Sequence, residues 1–313
     1  MAQMTPLPSI PHKKTHALCA TLMLALLCGS CQQESNKMPQ PDSNSWVMRL
    51  SLQPSAGTAE GEAQAFEDGD QAGIFVVKRT GDSQPVLLPR GNYAHNVRLT
   101  YHGTWISDQP ILWADDSAHA DIYLYYPHVA SMASPRHWEA DIPTDQTTNG
   151  ARRQADILAG SAIDIVPARD DIRIGVRHLM SRVVVKMKAG KGITGEQLGK
   201  APLEVCLDNL ATRVAVDIAT ATATTQGTAR GDVRMGRTDS LTFTAYVAPQ
   251  QVTGGRFITI LYNGDRYTLS RTITLQAGTS HTATVTLNKI DGNMGVSVTG
   301  WNTDPTDYGG AAK

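Results

Sequence analysis

The sequence predicts an all-β protein made of two antiparallel β-sandwiches. Three observations carry that expectation. Short segments in which apolar and polar residues alternate at period two recur along most of the chain, the pattern of half-buried strands. Gly, Pro, Asn and Asp punctuate these segments at turn spacing. After Cys31 no segment of ordinary helix length shows a 3.6-residue apolar period, so sheets must bury each other.

The N-terminus reads as an export signal. Lys13 and Lys14 supply positive charge, and residues 17–27 form an apolar run. That run is shorter than the roughly 20 residues that span a bilayer, and it fits the apolar region of a secretory signal. Gly29 and Ser30 precede Cys31, and a polar stretch over 32–37 follows it. This segment resembles the lipobox of bacterial lipoproteins, whose cysteine is acylated and becomes the first mature residue. It departs in having Cys28 three residues before Cys31, where Leu is usual. An ordinary signal peptide cut nearby is the alternative. Residues 1–30 are therefore expected as signal, Cys31 as the lipidation site, and 31–45, with Pro39 and Pro41, as a tether. Cys19 and Cys28 leave with the signal, so Cys206 is left alone and no intramolecular disulfide can form. Core burial has to supply the stability. Cys206, inside a strand-like run, reads as a buried structural residue.

The first expected strand is Trp46–Leu52, with Trp46, Met48, Leu50 and Leu52 on one face. Residues 54–65, rich in Gly, Ala, Glu and Ser, read as a surface loop. Phe66 to Val77 is a turn feeding a strand. Its Asp68-x-Asp70 pair hints at a calcium loop, but Ala72 and Arg79 stand where ligands belong. Strands are expected at 97–101, 111–113, 122–126 and 137–142. Residues 144–160 read as a loop or short helical turn. Strands at 172–178 and 181–188 follow a boundary placed near 167–171, and 190–199 is a loop with one helical turn. Further strands are expected at 203–210, 213–218, 241–247, 256–262, 266–275, 281–287 and 294–301. Asn263-Gly264 is the strongest hairpin signal, because both residues tolerate the positive φ of a type I′ turn.

Catalytic templates are missing. The chain has no H-E-x-x-H, no paired C-x-x-C, no complete nucleophile elbow and no P-loop, and its nine histidines lack ligand spacing. His178 reads as a turn or packing residue. No enzymatic activity, metal or cofactor is expected. Lys+Arg 28 against Asp+Glu 29 gives a net charge of −1, which offers no basis for a nucleic-acid partner. Tyr123, Tyr125, Tyr126, Trp105 and Trp113 could stack sugars, although cross-strand packing explains them better. Arg230-Gly231-Asp232 stands in a Thr- and Gly-rich stretch read as a loop. Chance composition accounts for it better than integrin recognition.

In order and spacing, several landmarks resemble the fimbrillin family, the lipoprotein precursors of type V pili made by gut and oral anaerobes. They are the lipobox at Cys31, Phe66-Glu67-Asp68-Gly69-Asp70-Gln71-Ala72-Gly73-Ile74-Phe75 and Tyr125-Tyr126-Pro127. Next come Asp145-Gln146-Thr147 with Ala155-Asp156-Ile157-Leu158, then His178 to Val183. Tyr246-Val247-Ala248-Pro249-Gln250, Ala277-Gly278 and the closing strand at Trp301 complete the set. The resemblance implies two tandem transthyretin-like sandwiches, here 46–170 and 171–313. It implies outer-membrane anchoring through lipid, other pilus subunits as partners and adhesion to host surface ligands. It also implies a trypsin-like cut after Arg or Lys that removes the first strand, whose groove a neighbour's C-terminal strand then fills. No Arg or Lys lies between Ser51 and Glu67. Arg49 is therefore the candidate cleavage residue, and an uncut accessory subunit stays open. Trp46, Met48, Leu50 and Leu52 form the replaceable face, and Met294, Val296 and Val298 the candidate donor face. The tail beyond Trp301, with Pro305, Gly309 and Gly310, is a poor donor. A surface glycan-binding lipoprotein is the alternative, to be separated by whether the aromatics are buried.

Overall fold

The computed structural model describes residues 46–54, 66–80, 86–290 and 293–304. The expected signal, Cys31, its tether, most of the 54–65 loop and the C-terminal tail lie outside the described residues.

The described chain is all-β, with two short helices. Its first half supplies β1 (Arg49–Pro54), β2 (Gln71–Lys78), β3 (Ala94–Tyr101), β4 (Trp105–Ser107), β5 (Ala120–Tyr126) and β6 (Trp138–Asp141). A helix α1 (Asn149–Ala155) then leads to β7 (Leu158–Ile165) and β8 (Asp171–His178). Seven of these strands make one sheet, ordered β1-β8-β7-β5-β2-β3-β4. At its centre β2 and β5 are buried on both faces. Ile74, Val76, Ile122 and Leu124 enter one apolar cluster, while Phe75, Val77, Tyr123 and Tyr125 enter another on the opposite side. Alternation of side chains along a strand produces that division.

The second half supplies β9 (Ser181–Ala189), α2 (Gly195–Lys200), β10 (Leu203–Ala211), β11 (Arg213–Asp217), β12 (Thr222–Thr225), β13 (Arg230–Arg234) and β14 (Gly236–Asp239). It continues with β15 (Thr242–Val247), β16 (Gln250–Val252), β17 (Arg256–Tyr262), β18 (Asp265–Ser270) and β19 (Ile273–Leu275). β20 (Ser280–Ile290) and β21 (Asn293–Asp304) close the described chain. A five-stranded sheet β14-β15-β9-β20-β21 and a four-stranded sheet β13-β10-β17-β18 share one core. Val183, Val185, Leu207, Phe243, Phe257, Ile260, Val285 and Leu287 are among its members. The smaller sheets are β12-β11-β6 and β16-β19. Asn263 and Gly264 take φ of 51° and 92° between paired Tyr262 and Asp265, as the Asn-Gly signal requires.

Several expectations need correcting. The sheets are not wholly antiparallel: β1 pairs with β8, and β9 with β20, in parallel. These partners are far apart in sequence, and only a long crossover can join parallel neighbours. The boundary at 170/171 separates paired strands, since β8 lies within the first sheet and β6 pairs with β11. The chain leaves the first sheet for the second at Leu179-Met180, both buried, between β8 and β9. Part of 144–160, read as loop or helical turn, opens β7 at Leu158. The single strand expected over 266–275 divides into β18 and β19 at Arg271-Thr272.

Candidate functional site

The segment from Trp46 to Pro54 is gripped on two sides. Toward the first sheet, β1 pairs with β8 in parallel, from Arg49↔Asp171 to Pro54↔Val176. On the other side Val47 bridges Leu112. Met48 N–H donates to Ile111 O at 2.7 Å, and Trp113 N–H donates to Trp46 O at 2.9 Å. The seven-stranded sheet is thus curled until its edge strand meets the chain just beyond β4. Met48 and Leu52 are buried among Ile111, Ile172, Ile174 and Val176, with Trp46 and Leu50 partly buried against the same cluster. Full burial of two such side chains contributes about 3–6 kcal/mol. The Arg169 guanidinium lies over the Trp46 ring, 5.0 Å from its centroid, and Trp113 Nε1–H donates to Ala168 O at 3.2 Å.

The predicted replaceable face is therefore one contiguous wedge. Without it, β8 would present unpaired backbone groups beside an opened apolar core, the condition that strand addition relieves. Arg49 exposes its side chain, but its backbone is paired with Asp171. A protease could thread it only after local opening.

At the far end of the chain β21 is an edge strand. Among the described strands it pairs with β20 alone, from Ser280↔Asp304 to Ile290↔Asn293, with an irregularity between Thr284 and Val285. Of the candidate donor residues, Val296 pairs with Leu287 and is partly buried, whereas Val298, opposite Val285, is 43% exposed. Met294 pairs with Lys289 through the backbone ladder. Among the described side chains, then, β21 depends on its ladder more than on its apolar face.

Other landmarks meet around α1, one set within the first half and one joining it to the second. Asp70 accepts from the Tyr126 hydroxyl at 3.0 Å and forms a largely buried ion pair with Arg153 of α1. Both partners line a cleft of about 550 Å³ that also meets His128, Trp138 and Glu139. One residue past Asp145, fully buried Gln146 donates to Tyr246 O at 2.7 Å and accepts from Tyr246 N–H at 2.8 Å. Arg152 caps this arrangement by donating to Gln146 O at 3.0 Å. Sequence reading singled out Asp70, Tyr126, Gln146 and Tyr246 as family landmarks without seeing how they meet, and it passed over Arg152 and Arg153.

The remaining candidates fall as follows. Tyr123, Tyr125, Tyr126 and Trp113 are buried, and Trp105 packs edge-on against Phe66 at 4.9 Å. They form no exposed stacking platform. His178 is buried against Asp156, Nδ1 to Oδ1 2.7 Å. Cys206 is half-buried rather than buried, and burial pushes its thiol pKa up; it faces away from Val205 and Leu207, as alternation along β10 demands. Arg230-Gly231-Asp232 is not a loop but the start of β13. Arg230 donates to Asn209 O, and Asp232 accepts from Asn209 N–H at 2.8 Å. Asn209, at a φ of 52°, sits where the β10–β13 register shifts. Among the described residues no group of three or more His, Cys, Asp or Glu side chains could hold a metal ion, and no helix is long and apolar enough to cross a membrane.

The profile of the fimbrillin-like family matches residues 58–301. The chain belongs to the fimbrillin-like family. This fimbrillin-like chain is 26% identical, over 213 residues, to a candidate fimbrium tip subunit, Fim1C, of Bacteroides ovatus. That match covers 60% of the chain and 38% of Fim1C, so the chain spans well under half the length of this curated relative. Its fold is similar to crystal structures of candidate cell adhesion proteins from two species. For Bacteroides uniformis the TM-score is 0.63 at 17% identity, covering 86% of this chain and 100% of the other. For Bacteroides ovatus it is 0.65 at 14% identity, covering 84% and 98%. At such identities the likeness is one of fold.

Proposed function

We propose that this fimbrillin-like chain is a structural subunit of a cell-surface type V pilus, joined to its neighbours by strand exchange and contributing to adhesion. Two transthyretin-like sandwiches, dividing at Leu179-Met180, are the units it brings to the filament. The observation that carries the reading is the wedge of Trp46–Pro54 between β8 and residues 111–113, with its apolar face in the core. A strand added there from a neighbour would restore the same ladder and fill the same core.

In this reading the chain is exported as an outer-membrane lipoprotein acylated at Cys31. A cut after Arg49 removes Trp46 and Met48 and loosens the rest of β1. The donor is β21, and a subunit that accepts a strand but donates none belongs at the tip. The tip-subunit name of Fim1C and the exposure of Val298 support keeping that role in view. Burial of the aromatics removes the feature that favoured a glycan-binding lipoprotein.

N-terminal sequencing of the protein from purified surface filaments tests the processing step. The expected first residue is Leu50. An acylated chain beginning at Cys31 in filaments would overturn cleavage at Arg49.

A further inference from the structure

His281 lies directly beneath the last strand. It is 1% exposed and pairs with Thr303 of β21 on one side and Val183 of β9 on the other. Its Nδ1 is 3.1 Å from the Thr303 hydroxyl oxygen, while its Nε2 is buried with no hydrogen-bond partner. Along β20 it shares a row with Ala283, Val285 and Leu287, all fully buried in the second core, where Tyr262 and the partly buried Tyr267 carry the titratable side chains. The nearest charged positions in the ladder, Arg182 on β9 and Asp304 on β21, pair with Ser280. They point to the opposite face of the sheet. Neutral imidazole fits this site, with one nitrogen satisfied by a hydroxyl. Imidazolium does not fit, because it would be a buried cation with an N–H directed at apolar groups.

We propose that β21 is an acid-sensitive latch: protonation of His281 weakens its pairing with β20 and lets the last strand peel away from the sheet. Of the two strands flanking β20, β9 is central and pairs on both sides, whereas β21, among the described strands, pairs on one. Opening β21 is the smaller rearrangement that brings water to the ring. Burial alone lowers the His281 pKa below its ordinary value, with no neighbouring charge contributing. The closed state therefore excludes a proton that the opened state accepts. The latch is intact above about pH 6.5, and the opening constant rises as pH falls, by up to about tenfold per unit between the two pKa values. The inference concerns one chain and holds whether or not β21 is ever donated to a neighbour.

Hydrogen exchange on the full chain in detergent, at pH 7.5 and 5.5 and corrected for intrinsic rates, tests it. Protection over 293–304 is expected to fall several-fold at the lower pH while 181–189 keeps its protection. His281→Asn is expected to abolish the difference. Equal protection at both pH values, or an unchanged pH dependence in His281→Asn, overturns the latch. Should that variant fold poorly, imidazole NMR on the wild-type chain decides. A depressed titration midpoint coinciding with loss of the β21 amides supports the latch; titration at the free value with those amides unchanged overturns it.

Discussion

The side-chain amide of Gln146 forms two hydrogen bonds with the backbone of Tyr246, donating to its carbonyl and accepting from its N–H, 100 residues away. Gln146 thereby acts as one residue of a strand added beside β15, and it ties the segment before α1 to the second sheet. Truncation would leave a buried N–H and a buried C=O unpaired, at about 1–3 kcal/mol each. Gln146→Ala is expected to destabilise by about 3 kcal/mol in chemical denaturation. A loss below about 1 kcal/mol would mean that water replaces the amide.

Gly73 illustrates a second constraint. A Cβ there would lie 2.1 Å from the ring of Tyr125, which is fully buried and donates from its hydroxyl to Asn96 Oδ1 at 2.6 Å. The ring cannot move without breaking that bond and repacking β5 against Phe75 and Trp138. Gly73→Ala is therefore expected to cost about 2 kcal/mol or more. An unchanged denaturation midpoint would show that the Tyr125 site has slack.

The Asn263-Gly264 turn offers a cleaner backbone test. Nothing lies within 4 Å of a Cβ placed on Gly264, while its φ is 92°. Gly264→Val is thus strained by conformation alone, and about 1–2 kcal/mol should be lost. Gly264→Asn, which tolerates positive φ, should recover much of it. Equal midpoints for the Val and Asn variants would exclude the positive-φ requirement.

Asp208 predicts a pH dependence of defined sign. It is 2% exposed, accepts from the Thr259 hydroxyl and lies 3.3 Å from Arg256. Burial, the largest influence, raises its pKa above the ordinary carboxylate value. The folded chain then holds a proton that the unfolded chain releases, so this group favours folding at low pH and loses that advantage as pH rises through its folded pKa. Asp208→Asn, which keeps an acceptor for Thr259, should raise the melting temperature at pH 7 and leave it little changed near pH 3. A lower melting temperature at pH 7 would show that the Arg256 pair outweighs burial.

Much of this fold was legible because alternation and turn chemistry act locally. Trp46–Leu52, Ile172–His178 and Ser181–Lys188 all announce strands by period two, and Asn263-Gly264 announces its hairpin. What stayed hidden depends on distant partners. The parallel pairing of β1 with β8 leaves no local trace, and neither does the β6–β11 pair that crosses the expected boundary. β7 escaped notice because Ala159, Gly160, Ser161 and Ala162 lack the bulk that marks a strand, although the first three sit opposite β5 residues Tyr125, Leu124 and Tyr123. Arg230-Gly231-Asp232 misled for the opposite reason: loop-forming residues lie in a strand whose register is pinned by Asn209. Within the candidate site, the apolar face of the first strand was readable from spacing. Its second grip, by residues 111–113, was not, because it exists only when the sheet curls.

Replacement of β1 by a neighbour's last strand is tested most directly by disulfide trapping in surface filaments, with Cys206→Ser as background. Arg173→Cys on β8 faces outward opposite Ser51, and Ser297→Cys is exposed on β21. A neighbour's strand docked in the slot should bring these two positions together between chains. The predicted result is a ladder of reducible multimers that needs both cysteines, or one heterodimer when a different subunit carries the donor cysteine and this chain sits at the tip. Filaments that contain the protein, show no crosslink and retain Trp46–Pro54 in every subunit would contradict strand exchange at this site.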